Sequence, residues 1–188
     1  MPPDITYDDS KILTLEAFAD TILPGEKRSP DDVALAGVAP GPGAVTAGAL
    51  DLLAWPATGI TQALPALVKS LNAHAAAYAN QAGLTLNTSL PEFTALTFEH
   101  RTALVRSLTS PGHEEKALWV LLALFSYMAF DAGAHLRTAQ AVTDGHPGLA
   151  MLGVSRPDAD GLWRFADNSY RRQLADLHPD TTPSGSPA

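Results

Sequence analysis

Apolar and polar residues alternate with helical spacing through most of this chain. Leu15, Phe18, Ala19 and Ile22 recur at that spacing behind Thr14, a residue type that caps helix N-termini. The helix so predicted stops at Leu23-Pro24-Gly25, because a residue before proline avoids the helical region. "PGEKRSPDD" then reads as a charged surface loop, and "GVAPGPGAV" as a second break. Pro42 suits a first helical turn, and Val45, Ala49, Leu52 and Leu53 predict a second helix reaching about Trp55. A third is predicted from Thr61 to Ala82, with the stripe Leu64, Leu67, Val68, Leu71 and Ala75 and a terminating Gly83. "LTLNTSLPEF" is a connector with mild strand character. Thr94 or Thr97 then opens a fourth helix through Arg101, Leu104, Val105 and Leu108.

The fifth predicted helix begins near His113 or Glu114 and runs to about Val142, with Gly133 as its weak point. Glu114 and Glu115 sit favourably at its positive end. Its segment from Ala117 to Phe130 has no charge and reads as a buried central helix, too short for a membrane span of about 20 residues. The pattern thus predicts an all-α fold: a single-domain bundle of about five main helices with long loops and an aromatic C-terminal tail. Residues 1–12 read as a flexible leader, 13–175 as the helical domain and 176–188 as a disordered end.

Composition narrows the function classes. The 188 residues contain no Cys, which excludes disulfides, thiolate metal sites and Cys nucleophiles. The net charge of −8 and the lack of a basic stripe argue against nucleic acid as a partner. Charged residues make up 17%, against about 25% in an average domain. The deficit is local: between Val33 and Pro91 only Asp51 and Lys69 are charged. So neutral a stretch is either packed within its own domain or pressed against another protein. "MPPDITYDDS" has neither the cationic nor the apolar region of a signal peptide, which points to the cytoplasm or to export with a partner that carries the signal.

The candidate chemistry centres on Tyr127, Asp131 and His135, four residues apart on one stripe of the predicted fifth helix. A carboxylate that orients an imidazole can support general base catalysis, and such pairs can also ligate metals. The alternative is a buried polar seam that fixes the core in register. Further metal ligands would have to come from His74, His100, Glu16 or Asp20, and no HExxH or ExxH motif supports a dedicated metal site. His74 and Tyr78 repeat the spacing on the third helix, as an exposed His beside a half-buried Tyr. Glu16 and Asp20 read as the solvent face of the first helix, and Glu99 and His100 as a turn that suits the helix dipole. No Ser lies in a GxSxG elbow, and Gly41, Gly43 and Gly48 do not form GxGxxG, since position 46 is Thr. No cofactor site is therefore expected in the chain itself. The tail residues Trp163, Phe165 and Tyr170, with Arg164, Arg171 and Arg172, are either interface anchors or a wrap over the bundle.

Four phrases carry a resemblance. "LTLEAFADTILPGEKRSPDD" followed by "GPGAVTAGALDLL" resembles the opening of the gluconate 2-dehydrogenase subunit 3 family, in which a helix ending in "adtiiP" leads through a loop to "GPGA..AG". "DGHPGLAMLGV" and "GLWRFADNSYRR" resemble an actinobacterial branch of the same group. The resemblance implies a helical, non-catalytic accessory subunit without its own redox cofactor. Its partner would be the large subunit of a flavoprotein oxidoreductase, a flavin-dependent dehydrogenase of the glucose-methanol-choline class. Many members carry a twin-Arg export signal and this sequence shows none. The rival expectation is a stand-alone helical enzyme of cyclase or isomerase type, acting on a hydrophobic small molecule with Tyr127, Asp131 and His135 as an acid–base row.

Overall fold

In the computed structural model, residues 7–37, 39–156 and 158–160 are described. The chain divides into two units, residues 1–154 and 155–188, and every described helix lies in the first. The aromatic tail residues 163–172 lie outside the described residues.

The described residues are all helical, with no strand. Helix α1 spans Tyr7–Ile22, α2 Ala49–Ala54, α3 Leu64–Ala82, α4 Glu92–Ala95, α5 Phe98–Leu108, α6 Lys116–Ala132, α7 Thr138–Thr143 and α8 Pro147–Met151. Two single 3-10 turns, Pro56–Thr58 and Thr61–Ala63, lead from α2 into α3.

Several boundaries differ from the sequence pattern, each for a local reason. Helix α1 begins at Tyr7, so residues 7–12 are helix rather than leader. Thr14 is no cap: it is buried mid-helix, where its hydroxyl donates to the Ser10 carbonyl (2.8 Å) and accepts from Asn72 Nδ2 (3.2 Å). The second helix starts late because Gly48, at φ 87°, holds a left-handed turn in front of Ala49. The mild strand signal at 84–93 gives way to a turn and to α4, one turn of helix behind Pro91. Of the two Thr caps offered for α5, Thr97 serves, its hydroxyl accepting from the His100 N–H. The long fifth helix stops at Ala132 rather than Val142. Gly133 terminates it with a left-handed cap, and the chain restarts in α7 and α8.

The buried centre is α1. It packs against α2, α3, α4, α5 and α6, and every residue from Thr14 to Thr21 is buried. Phe18 meets Phe93 and Trp119 at ring distances of 6.2 and 6.4 Å. The stripe of α3 faces this core as the pattern predicts: Leu64, Leu67, Val68, Leu71 and Ala75 are all buried. Helix α6, expected to be central, buries only one side. Trp119, Leu122, Ser126, Ala129 and Phe130 face inward, while Val120, Leu124 and Tyr127 keep 43, 48 and 46% of their surface exposed.

Two glycines set the path of the loops beside α1. The backbones of "LPG" and "GPG" cross at Gly25 and Gly43, where a methyl on Gly43 would lie 2.6 Å from the Gly25 nitrogen. The Ala44 N–H donates to the Leu23 carbonyl (3.0 Å), and the Glu26 N–H to that of Gly41 (2.8 Å). The short phrases in the sequence thus mark a close backbone crossing that a side chain would block.

Candidate functional site

The predicted row does not survive as a row. Tyr127 lies on the outward side of α6 and Asp131 is half-buried one turn later. His135 stands beyond the Gly133 cap, off the helix altogether. No hydrogen bond joins the three, and neither Asp131 Oδ1 nor His135 Nδ1 has a partner among the described residues. The His135 ring sits over Gly48, its Nε2 lying 2.7 Å from where a methyl on that glycine would be. It makes an edge contact with His146 at 6.3 Å. Burial pushes the His135 imidazole below its ordinary value; Asp51 draws it up and His146 draws it down.

His146, which sequence reasoning passed over, has a defined role. Its Nε2–H donates to the Ala47 carbonyl (3.0 Å), and Nδ1 accepts from the Leu149 N–H (3.3 Å). These hydrogen bonds make His146 the N-cap of α8. Gly148 lets α8 press its backbone onto the Phe130 carbonyl of α6. The local signal was the His-Pro-Gly phrase, with a proline at the first helical position.

The carboxylates of α1 are not a solvent face. Glu16 is 7% and Asp20 1% exposed. Arg28 reaches back to form a two-pronged pair with Glu16, its Nη2 at 2.7 Å from Oε2. The same guanidinium holds Asp32 through Nε (2.7 Å) and Nη2 (3.1 Å). Glu16, then Asp32, hold the Arg28 guanidinium well above its usual range. Burial raises Asp32, but the hydrogen bonds and charge of Arg28, with the Leu35 N–H, together outweigh it and the carboxyl titrates low.

Asp20 Oδ2 accepts from the Ala36 and Gly37 N–H groups, both at 2.8 Å. Beside it Arg101, 1% exposed, donates to the carbonyls of Ala34 (2.6 Å), Leu96 (3.0 Å), Val33 (3.4 Å) and Thr94. Its Nη1 lies 3.9 Å from Asp20 Oδ2. Burial lowers the Arg101 pKa to about 10, against the pull of Asp20. This is a staple: one cation and one carboxylate pin the 33–37 loop to α1 and α5. Asp20 Oδ1 and Thr94 Oγ1 have no partner among the described residues.

The remaining candidates are committed elsewhere. His74 Nε2 meets Glu115 Oε2 at 2.7 Å, and the same oxygen accepts from Trp119 Nε1–H at 3.1 Å. His74 holds the Glu115 carboxyl below its usual range. Tyr78 OH pairs with His100 Nδ1 at 2.9 Å. Among the described residues no three His, Asp or Glu side chains gather as a metal site.

Open clefts mark the described surface. One of about 610 Å³ lies among Glu26, Lys27, Gly41, Pro42, Pro147 and Met151. A second of about 360 Å³ is lined by Lys11, Pro65, Lys69 and Glu92, and a third of about 270 Å³ by Arg137, Gln140, Asp144 and His146. Tyr127, Asp131 and His135 line none of the three, so the acid–base row has no shared cavity there.

Among the described residues, fold and site together define an all-helical architecture whose buried charges pin loops to helices. It matches the model of a family of unknown function, DUF5987, over residues 9–188, and belongs to that family. No curated protein and no solved structure matches it. No helix among the described residues is long and apolar enough to cross a membrane.

Proposed function

We propose that this chain is a non-catalytic accessory subunit that binds and stabilises a flavin-dependent dehydrogenase of the glucose-methanol-choline class. One observation carries the reading. From Ala54 to Ala66 the chain runs along the surface with no charged side chain, and Trp55 keeps 44% of its surface exposed there. Ala54, Pro56, Ala57, Gln62, Ala63, Pro65 and Ala66 are exposed around it. A neutral surface with a rigid aromatic anchor is the usual centre of a protein interface. The crossing at Gly25 and Gly43 adds support, since the two opening phrases of the gluconate 2-dehydrogenase subunit 3 resemblance meet there. Flavin chemistry would belong to the partner, and the compartment would follow the partner's signal.

Co-expression with a flavoprotein dehydrogenase encoded beside this chain tests the reading. A yellow complex should co-purify, the chain alone should be colourless, and Trp55→Ala should weaken the complex at least about tenfold, as expected for a hot-spot residue. A chain that ignores that flavoprotein ends the proposal.

A further inference from the structure

The outward side of α6 carries an exposed, mostly apolar stripe. Ala117, Val120, Leu124, Tyr127 and Asp131 follow one another in alternating steps of three and four residues, the spacing of a surface that receives a second helix. Leu121 and Met128 flank them, half-buried. No charged side chain lies between Lys116 and Asp131. These two close the stripe with opposite signs, about 22 Å apart along the axis. Neither has an ion-pair partner among the described residues.

We propose that the occupant is a second copy of this chain, its α6 laid antiparallel across the first about a two-fold axis at Leu124. That axis sets Ala117 of each copy against Asp131 of the other, so Lys116 reaches Asp131 at both ends. A parallel pairing would instead set Lys116 against Lys116 and Asp131 against Asp131. Charge complementarity therefore selects the antiparallel, self-complementary arrangement. Opposed helix dipoles favour it further. The small Ala117 leaves room at each end, and the Tyr127 ring covers Leu121 of the other copy. The seam removes on the order of 400 Å² per copy from water, about half of what a standard interface buries on each side. The dimer is accordingly weak and concentration-dependent. The proposal does not rest on the oxidoreductase reading.

Analytical ultracentrifugation of the full chain from about 1 to 200 µM tests it, a range that brackets a micromolar equilibrium. The expected result is a reversible monomer–dimer equilibrium. Leu124→Glu should weaken it at least about tenfold with helical circular dichroism unchanged, since the side chain is 48% exposed. Lys116→Glu and Asp131→Lys should each weaken it, and the double exchange should restore it; this pair decides the matter even where Leu124→Glu disturbs the helix. A monomer at every concentration overturns the proposal. So does a dimer indifferent to Leu124→Glu, or a double exchange that fails to recover what the single ones lose.

Discussion

Helices α1 and α6 exchange the places their compositions suggest. Helix α1 carries Thr14, Glu16, Asp20 and Thr21, yet all four are buried. Helix α6 is uncharged from Ala117 to Phe130, yet Val120, Leu124 and Tyr127 stay in solvent. The difference lies in partners. Each buried polar side chain on α1 has at least one counterpart, although Asp20 Oδ1 has none among the described residues: Glu16 has Arg28, Asp20 Oδ2 has two backbone N–H groups, Thr14 has Ser10 and Asn72, and Thr21 has the Ala17 carbonyl. A helix supplied in this way can sit at the centre without desolvated charges. Among the described residues helix α6 is packed on one side only, and its apolar residues on the other side are exposed.

The sharpest way to break this comparison is to remove the cation that lets α1 stay buried. Arg101→Met removes the cation beside Asp20 and strips donors from four carbonyls, so denaturant unfolding should show a loss of about 3–5 kcal/mol. A loss under 1 kcal/mol would mean that the staple is idle. Next in size is the crossing of the loops beside α1. Gly43→Ala should cost about 1–3 kcal/mol in the same measurement, because the methyl meets the Gly25 backbone, which cannot move aside cheaply.

These two positions also show what was legible in advance. The apolar stripes of α3 and α5 could be read from spacing alone, because periodicity is a local property. The burial of α1 could not. Glu16 depends on Arg28, twelve residues on, and Arg101 on the carbonyls of Val33 and Ala34, and such pairings leave no local trace. The open face of α6 was hidden for the opposite reason: a helix that is apolar all round reads as buried whichever side is covered. The Tyr127, Asp131 and His135 row failed at one residue, since Gly133 ends the helix before His135 can align with the other two. The sequence marks Gly133 as a weak point, but its positive φ is a property of the fold.

A smaller effect distinguishes the two ends of α6. His135 titrates below its ordinary value in the folded chain, so its contribution to stability is fully present above the unfolded pKa of about 6.5. It is lost as pH falls through the lower, folded value. Thermal melts should therefore drop on acidification below about pH 6.5, and His135→Gln should flatten that slope. At the other end Glu115, held low by His74, contributes above its unfolded pKa of about 4.5 and loses that contribution as pH falls through its folded value. Both partners are partly exposed, so Glu115→Gln should cost only a few tenths of a kcal/mol at neutral pH. A slope unchanged by His135→Gln would assign the acid sensitivity elsewhere.

The central claim is that the polar helix α1 is enclosed while the apolar helix α6 is open along one side. Hydroxyl-radical footprinting of the full chain, kept dilute enough to be monomeric, tests it most directly. Tyr127 and Leu124 should be oxidised rapidly, while Phe18 and Phe93, both wholly buried, stay protected. Protection of Tyr127 as complete as that of Phe18 in the monomer would contradict the account.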